Sequence, residues 1–214
     1  GSSTEMFKLD TNFNILAYHY VDVDSRGVVR TPADGQLYMK GYGGDFYRLN
    51  TDPFDGSVEY LYNLAESNTQ SQFTFSADGQ NIFTYYQGEI NRFDFNTGDH
   101  QNTYWVDGVG VGIAHTGDYI IVGNGDDGLF AYAYEDDDFW FVAEVNLNFD
   151  GNVGWDYGTP SYANGMAFIP NSEAMYGGDG ALWKAYIIDE GTQDTDTGIV
   201  FSGAFGGTIV DGNT

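Results

Sequence analysis

The side chains of this chain best suited to chemistry are carboxylates and aromatic rings, and they occur side by side. The densest run is Phe149-Asp150-Gly151-Asn152-Val153-Gly154-Trp155-Asp156-Tyr157-Gly158. Rings flanked by carboxylates and amides suit sugars, which offer apolar faces bordered by hydroxyl groups. Trp155, Asp156 and Tyr157 are therefore candidate ligand-binding residues, with Trp105 and Asp107 as a second contribution. The competing reading is that the same rings plug a channel or pack between sheets. A cation site is the other candidate, because hard cations take several oxygen ligands. Asp45, Glu89, Asp126, Asp127, Asp179 and Asp211 recur in comparable turns, and Asp126, Asp127 and Asp179 are the candidate calcium ligands. Asp and Gly are also ordinary turn formers, so a plain turn role competes with the metal. Asp194-x-Asp196-x-Gly198 starts like a calcium loop but lacks the terminal Glu. Asp22-Val23-Asp24-Ser25-Arg26-Gly27 starts like one too, with Arg26 where a ligand belongs.

The charge balance narrows the partners. The 214 residues carry 32 acidic and 7 basic side chains, a net charge of -25. Nucleic-acid binding depends on neutralising phosphates, so such a chain is repelled by it. Anionic membrane surfaces repel it as well. Cations, neutral polar molecules such as glycans, and basic proteins remain as partners. Acidity that serves only solubility is the bland alternative. With no cysteine, disulfides and thiolate metal sites are excluded. No run of 18 or more apolar residues is present, so membrane insertion is not expected. No signal peptide is visible, and Gly1-Ser2-Ser3 reads equally as a cloning remnant or a native segment.

What must position these residues is a repeat. Five polar turns open onto apolar strands, with glycines at Gly35, Gly79, Gly117, Gly165 and Gly207, spaced 38 to 48 residues apart. A polar glycine turn before an apolar run is a hairpin signal. A second motif recurs beside these turns: Glu5-Met6-Phe7-Lys8-Leu9-Asp10, Asp45-Phe46-Tyr47-Arg48-Leu49-Asn50 and Glu89-Ile90-Asn91-Arg92-Phe93-Asp94. Gly128-Leu129-Phe130-Ala131-Tyr132 lacks the base, and Gly180-Ala181-Leu182-Trp183-Lys184-Ala185 regains it. Lys8, Arg48, Arg92 and Lys184 thus share one repeat position, where a structural role is expected, each base tied to the acid three residues earlier (Glu5, Asp45 or Glu89 in the first three copies) and joining neighbouring units by buried pairing. A further strand completes each unit: Ile15 to Val21, Val58 to Leu64, Gln101 to Val106, Trp140 to Leu147 and Gly198 to Phe201. Four short strands per repeat of about 40 to 45 residues describe a propeller blade. The expected fold is all-β, a five-bladed β-propeller of four-stranded antiparallel blades in one domain, residues 1–214. The closing blade combines 203–214 with 1–21, and Thr208 to Val210 pair with Thr4 to Leu9. Closure removes the strand edges that invite aggregation. A linear piece of a larger ring is the rival.

Arg92-Phe93-Asp94-Phe95-Asn96-Thr97-Gly98 carries an apolar-x-basic-apolar-acidic pattern followed by a Thr-Gly turn, and Met6 to Asp10 and Phe46 to Asn50 match it in part. On these residues the chain resembles the broad propeller superfamily of NHL, YVTN and quinoprotein-like blades. Gly123-Asn124-Gly125-Asp126-Asp127-Gly128-Leu129 resembles the LVIVD type of repeat. The resemblance implies the propeller fold. It implies no single activity, because these families share none.

Catalysis is not expected. Five-bladed glycosidases need carboxylates aimed into the central pocket. The inner strands expected here, Val28 to Thr31, Phe73 to Ser76, Val109 to Ala114, Thr159 to Tyr162 and Ser202 to Phe205, contain no Asp or Glu, and Arg30 is their only charge. His19, His100 and His115 fall at different repeat positions, and no nucleophile elbow, zinc-protease motif or phosphate loop occurs. The expected function is non-catalytic: an extracellular or cell-surface module that binds a glycan or a protein ligand, as in a large bacterial adhesin, with calcium as the possible cofactor. A scaffold in a viral tail or surface filament is the alternative, and a glycosidase-like enzyme is the second and less favoured one. In either case the chain is expected to be a domain of a longer protein.

Overall fold

The computed structural model describes residues 4–10, 12, 14–107, 110, 112–115, 119–123, 128–146, 161–163, 166–170, 182–188 and 198–201. Every regular element among them is a β-strand. No helix long and apolar enough to cross a membrane occurs among these residues. The strands are β1 (Thr4–Leu9), β2 (Ile15–Val21), β3 (Ser25–Arg30), β4 (Leu37–Gly41), β5 (Asp45–Leu49), β6 (Val58–Asn63), β7 (Gln72–Phe75), β8 (Asn81–Tyr86) and β9 (Glu89–Asp94). They continue with β10 (His100–Trp105), β11 (Ile113–His115), β12 (Tyr119–Gly123), β13 (Gly128–Glu135), β14 (Asp138–Asn146), β15 (Ser161–Ala163), β16 (Met166–Pro170), β17 (Leu182–Ile188) and β18 (Gly198–Phe201). Four sheets hold four strands each in chain order, β3 to β6, β7 to β10, β11 to β14 and β15 to β18, and β1 pairs with β2. The all-β class and the four-stranded antiparallel units are as expected, and the fold is propeller-like. The edge of Thr208 to Val210 lies outside the described residues.

Local chemistry explains the turns. Asp34 Oδ1 accepts the Gln36 amide at 2.8 Å, and Gly35 donates its amide to Thr31 O at 3.0 Å. In the next sheet Asp78 Oδ1 accepts the Gln80 amide at 3.0 Å, and Gly79 donates to Ser76 O at 2.9 Å. The β9–β10 turn repeats the device: Asp94 Oδ1 accepts the amides of Asn96 at 2.8 Å and Thr97 at 3.0 Å. Such carboxylates imitate a backbone turn through their own side chains. Gly98 closes the β9–β10 turn at φ +75°, and a Cβ there would lie 2.4 Å from Cδ2 of Tyr62. Only glycine meets both demands.

The chain divides into two compact units, Gly1–Thr84 with Asn91–Asn102, and Tyr85–Ile90 with Thr103–Thr214. In the first unit the sheet β3 to β6 is covered on both faces. The register sets Tyr38 opposite Arg48 and Lys40 opposite Phe46, so these four share one face. That face meets Phe73, Phe75, Ile82 and Phe93, all fully or almost fully buried. Phe46 stacks on Tyr38 at 5.7 Å and on Tyr62 at 5.5 Å, and meets the edge of Phe73 at 5.2 Å. Leu37, Met39, Tyr47 and Leu49 form the other face and pack with Met6 and Val21 of the β1–β2 hairpin. In the second unit Ile113, Ile120, Ile121, Val122 and Tyr132 are buried.

Several boundaries differ from the sequence reading. β11 covers only Ile113–His115, and β6 stops at Asn63. β3 begins at Ser25, which brings Arg26 onto a first strand where Arg30 was the only expected charge. The cause is a bulge: Ser25 pairs with Gly41 and Val28 with Met39, leaving Arg26 and Gly27 opposite Lys40. A bulge adds a residue that no alternation pattern shows.

Phe46 makes ring contacts on both sides and is wholly buried. Phe46→Ala is expected to cost about 3–5 kcal/mol, read as a lower denaturant midpoint with an unchanged slope.

Candidate functional site

Two places hold side chains with unspent chemistry. The first is the end of β10. Alternation turns Tyr104 inward and Trp105 outward, so Tyr104 is 7% exposed and Trp105 75% exposed. Tyr104 donates its hydroxyl to Asp137 Oδ1 at 2.9 Å, and Tyr134 donates to the same oxygen at 2.7 Å. The backbone after Trp105 is held in three places. Val106 donates its amide to Gly88 O at 2.9 Å, Gln87 donates to Gly110 O at 2.7 Å, and Tyr132 donates its hydroxyl to Asp107 O at 3.0 Å. Trp105 and the exposed Asp107 are therefore presented from a fixed segment.

The second place is the bulge on β3, in the other unit. Lys40 is fully buried and donates to Asn68 O at 3.1 Å. Its ammonium carries three donors, and this is its one hydrogen bond among the described residues. Burial, reinforced by the positive charge of Arg26, pushes its pKa down to about 8. The Arg26 guanidinium lies 5.1 Å over the Tyr42 ring and reaches Asp24 Oδ2 at 3.3 Å through one terminal nitrogen. Its Nε is buried with no partner among the described residues. Sequence reasoning missed this pair. Lys40 had a visible signal, since alternation places it on the same face as Tyr38, but Arg26 had none.

The expected site residues fare differently. Trp105 and Asp107 stand near each other at the β10 end, whereas Trp155, Asp156 and Tyr157 lie outside the described residues. So do the candidate metal ligands Asp126, Asp127 and Asp179. Among the described residues no group of three or more His, Asp or Glu is placed to hold a metal ion. Several acids are already engaged in turns. Hydrogen bonds from Asn14 hold the Asp10 carboxyl below its usual range, and those from Ser57 do the same for Asp55. Of the repeated bases, Lys8 is exposed and Arg92 half-buried. Lys184 lies on β17, with its side chain outside the described residues. Arg48 departs from the expected pairing. Its partner is Glu59, directly opposite on β6, while Asp45 accepts from Asn63 Nδ2 at 2.8 Å. Residues three apart on a strand point to opposite faces, so Asp45 cannot serve Arg48. Both side chains of the Arg48–Glu59 pair are about half exposed, so it is a surface contact within one sheet and not a buried tie between sheets.

No family model matches the sequence, and no curated protein matches it. Solved structures do. The glutaminyl cyclase of Myxococcus xanthus aligns with TM-score 0.50 and 16% identity over 76% of this chain and 66% of that one. Hsv2 of Kluyveromyces lactis aligns with TM-score 0.52 and 11% identity over 84% of this chain and 50% of that one. The chain thus spans just under two thirds of the first and half of the second. At these identities the likeness is one of fold. It nevertheless corrects the expectation that the chain is no enzyme, because one protein matched in fold is an enzyme by name. The exclusion rested on missing motifs for glycosidase, zinc and phosphate chemistry, which are only some of the reactions one fold can host.

Lys40 carries a testable cost. Its folded value, about 8, lies below its ordinary value of 10.5. A base with a depressed folded pKa destabilises the fold fully below that value, and the penalty fades as pH rises to the unfolded value. Lys40→Met is therefore expected to gain melting temperature relative to the parent at about pH 7, and to lose most of that gain by about pH 10. Thermal melts of both proteins across this range check it, and a pH-independent difference contradicts it.

Proposed function

We propose that this chain is a ligand-binding β-propeller that takes a glycan at the surface carrying Trp105 and Asp107. The observation that carries the reading is the 75% exposure of Trp105 on a segment held by backbone hydrogen bonds. Leaving an indole in water forgoes its large burial energy, and a rigid ring beside a carboxylate meets both the apolar face and the hydroxyl rim of a sugar. Trp155, Asp156 and Tyr157 extend this surface in our reading, and Asp126, Asp127 and Asp179 provide a calcium site. The net charge of -25 favours neutral glycans over nucleic acid or anionic membranes. An extracellular surface protein, such as an adhesin, is the setting that fits such a module. A glycan array with and without calcium tests the proposal. Neutral glycans are expected to bind, and Trp105→Ala to weaken them by about tenfold or more, a loss of about 1.4 kcal/mol. No binding in either condition overturns it.

Our reading of the fold is a closed ring of five blades. Among the described residues it is supported by five sheets, of which only β1–β2 has two strands. It is supported also by the outer face of that hairpin, where Phe7, Tyr18 and Tyr20 are 48%, 40% and 61% exposed although their rings touch. In this reading Thr208 to Val210 pair with Thr4 to Leu9. Deleting residues 1–10 is then expected to open the ring and cause aggregation, seen as loss of the monomer by size exclusion. A soluble monomeric deletion variant with unchanged melting argues against closure.

A further inference from the structure

We infer that Arg26 and Lys40 form a binding site for a single carboxylate group borne by a small ligand, with Arg26 as the direct contact and Lys40 as a buried charge beneath it. The site is separate from the Trp105 surface and does not depend on it. Three observations converge. The β3 bulge places Arg26 opposite Lys40, so two of the seven basic residues of a strongly acidic chain stand opposite each other in the β3–β4 pairing. Bulges commonly re-aim a side chain beside a site. Second, the local charge is unbalanced. Asp24 is the only carboxylate among the described residues that contacts either cation, and it engages Arg26 through one terminal nitrogen at 3.3 Å. A buried cation without a counter-charge is costly, and two adjacent cations more so. Third, Arg26 is held ready. Its guanidinium lies over the Tyr42 ring, and its side chain is 33% exposed, so part of it is open to a ligand, while its Nε is closed to solvent and has no partner among the described residues.

Carboxylate is the chemistry that fits. A guanidinium presents two parallel donors to two oxygens in one plane, and Arg26 holds such a group over the Tyr42 ring. Lys40, fully buried, adds field and not a direct contact. The chain's net charge of -25 opposes a phosphate dianion about twice as strongly as a monoanion, which favours the single charge.

The carboxylate of an acidic sugar and that of an acylated amino acid share this chemistry, and titration separates them. The whole chain is titrated at about pH 7 and constant ionic strength with glucuronate, N-acetylglycine and glucose, by calorimetry and by the NMR signal of the Arg26 Nε–H. Glucuronate is expected to bind and to move that signal, and glucose to do neither. Equal binding of N-acetylglycine assigns the site to the carboxylate alone, and stronger binding of glucuronate assigns it to acidic sugars. Arg26→Gln, which keeps length and removes charge, is expected to weaken binding by about tenfold or more, and Lys40→Met by less. Melting curves establish that both variants are folded, and Trp105→Ala leaves carboxylate binding unchanged. If neither carboxylate binds, as when an acid of the chain itself occupies the site, the inference is overturned. An unaltered affinity in Arg26→Gln overturns it equally.

Discussion

An aspartate that accepts the amide two residues ahead of it shapes the hairpins of the sheets β3 to β6 and β7 to β10. It recurs at Asp34, Asp78 and Asp94, on hairpins that join successive strands. Each turn sets a register, and a register slip of one residue exchanges the buried face of a strand for the solvent face. Asp34 also accepts the Tyr38 hydroxyl at 2.8 Å, so the turn and the first ring of the core are joined. The excess of acid in the composition is in this respect structural. These carboxylates are occupied by backbone donors.

With register set, the sheet β3 to β6 receives an aromatic layer on one face and an aliphatic layer on the other. Face-to-face sheets of this kind pack about 10 Å apart and interdigitate side chains. Rings dominate because they fill that gap from a single position, and their edge-to-face contacts add specificity to area. Lys40 sits at the end of the aromatic face, where Asn68 O is within reach. The layer that stabilises the sheet is thus also what strips water from the lysine and lowers its pKa.

The propeller-like fold and the function stand on different footings. Repeated antiparallel sheets follow from turn chemistry and alternation, and solved structures of very low identity share them. The proposed binding rests on a few positions that fold rules alone do not explain. Trp105 is a large ring left in water, and Arg26 and Lys40 are cations left close together. The two places lie in different compact units, so each is a separate question about ligand chemistry.

The sequence by itself determined the antiparallel four-strand units and the turns, and it set most strand limits only to within a residue or two. These depend on neighbours within a few residues: Asp and Gly at fixed offsets, and apolar residues at every second position. β2 and β18 begin and end where the pattern places them. Trp105 was legible as a candidate because its ring stands two residues from the carboxylate of Asp107. The partner of Arg48 was not. Asp45 is close in sequence but points away, and Glu59 is opposite only because β5 and β6 pair in that register. Arg26 beside Lys40 was decided by tertiary structure alone. A bulge is an extra residue in a pairing, and a pairing belongs to two strands at once, so neither strand announces it.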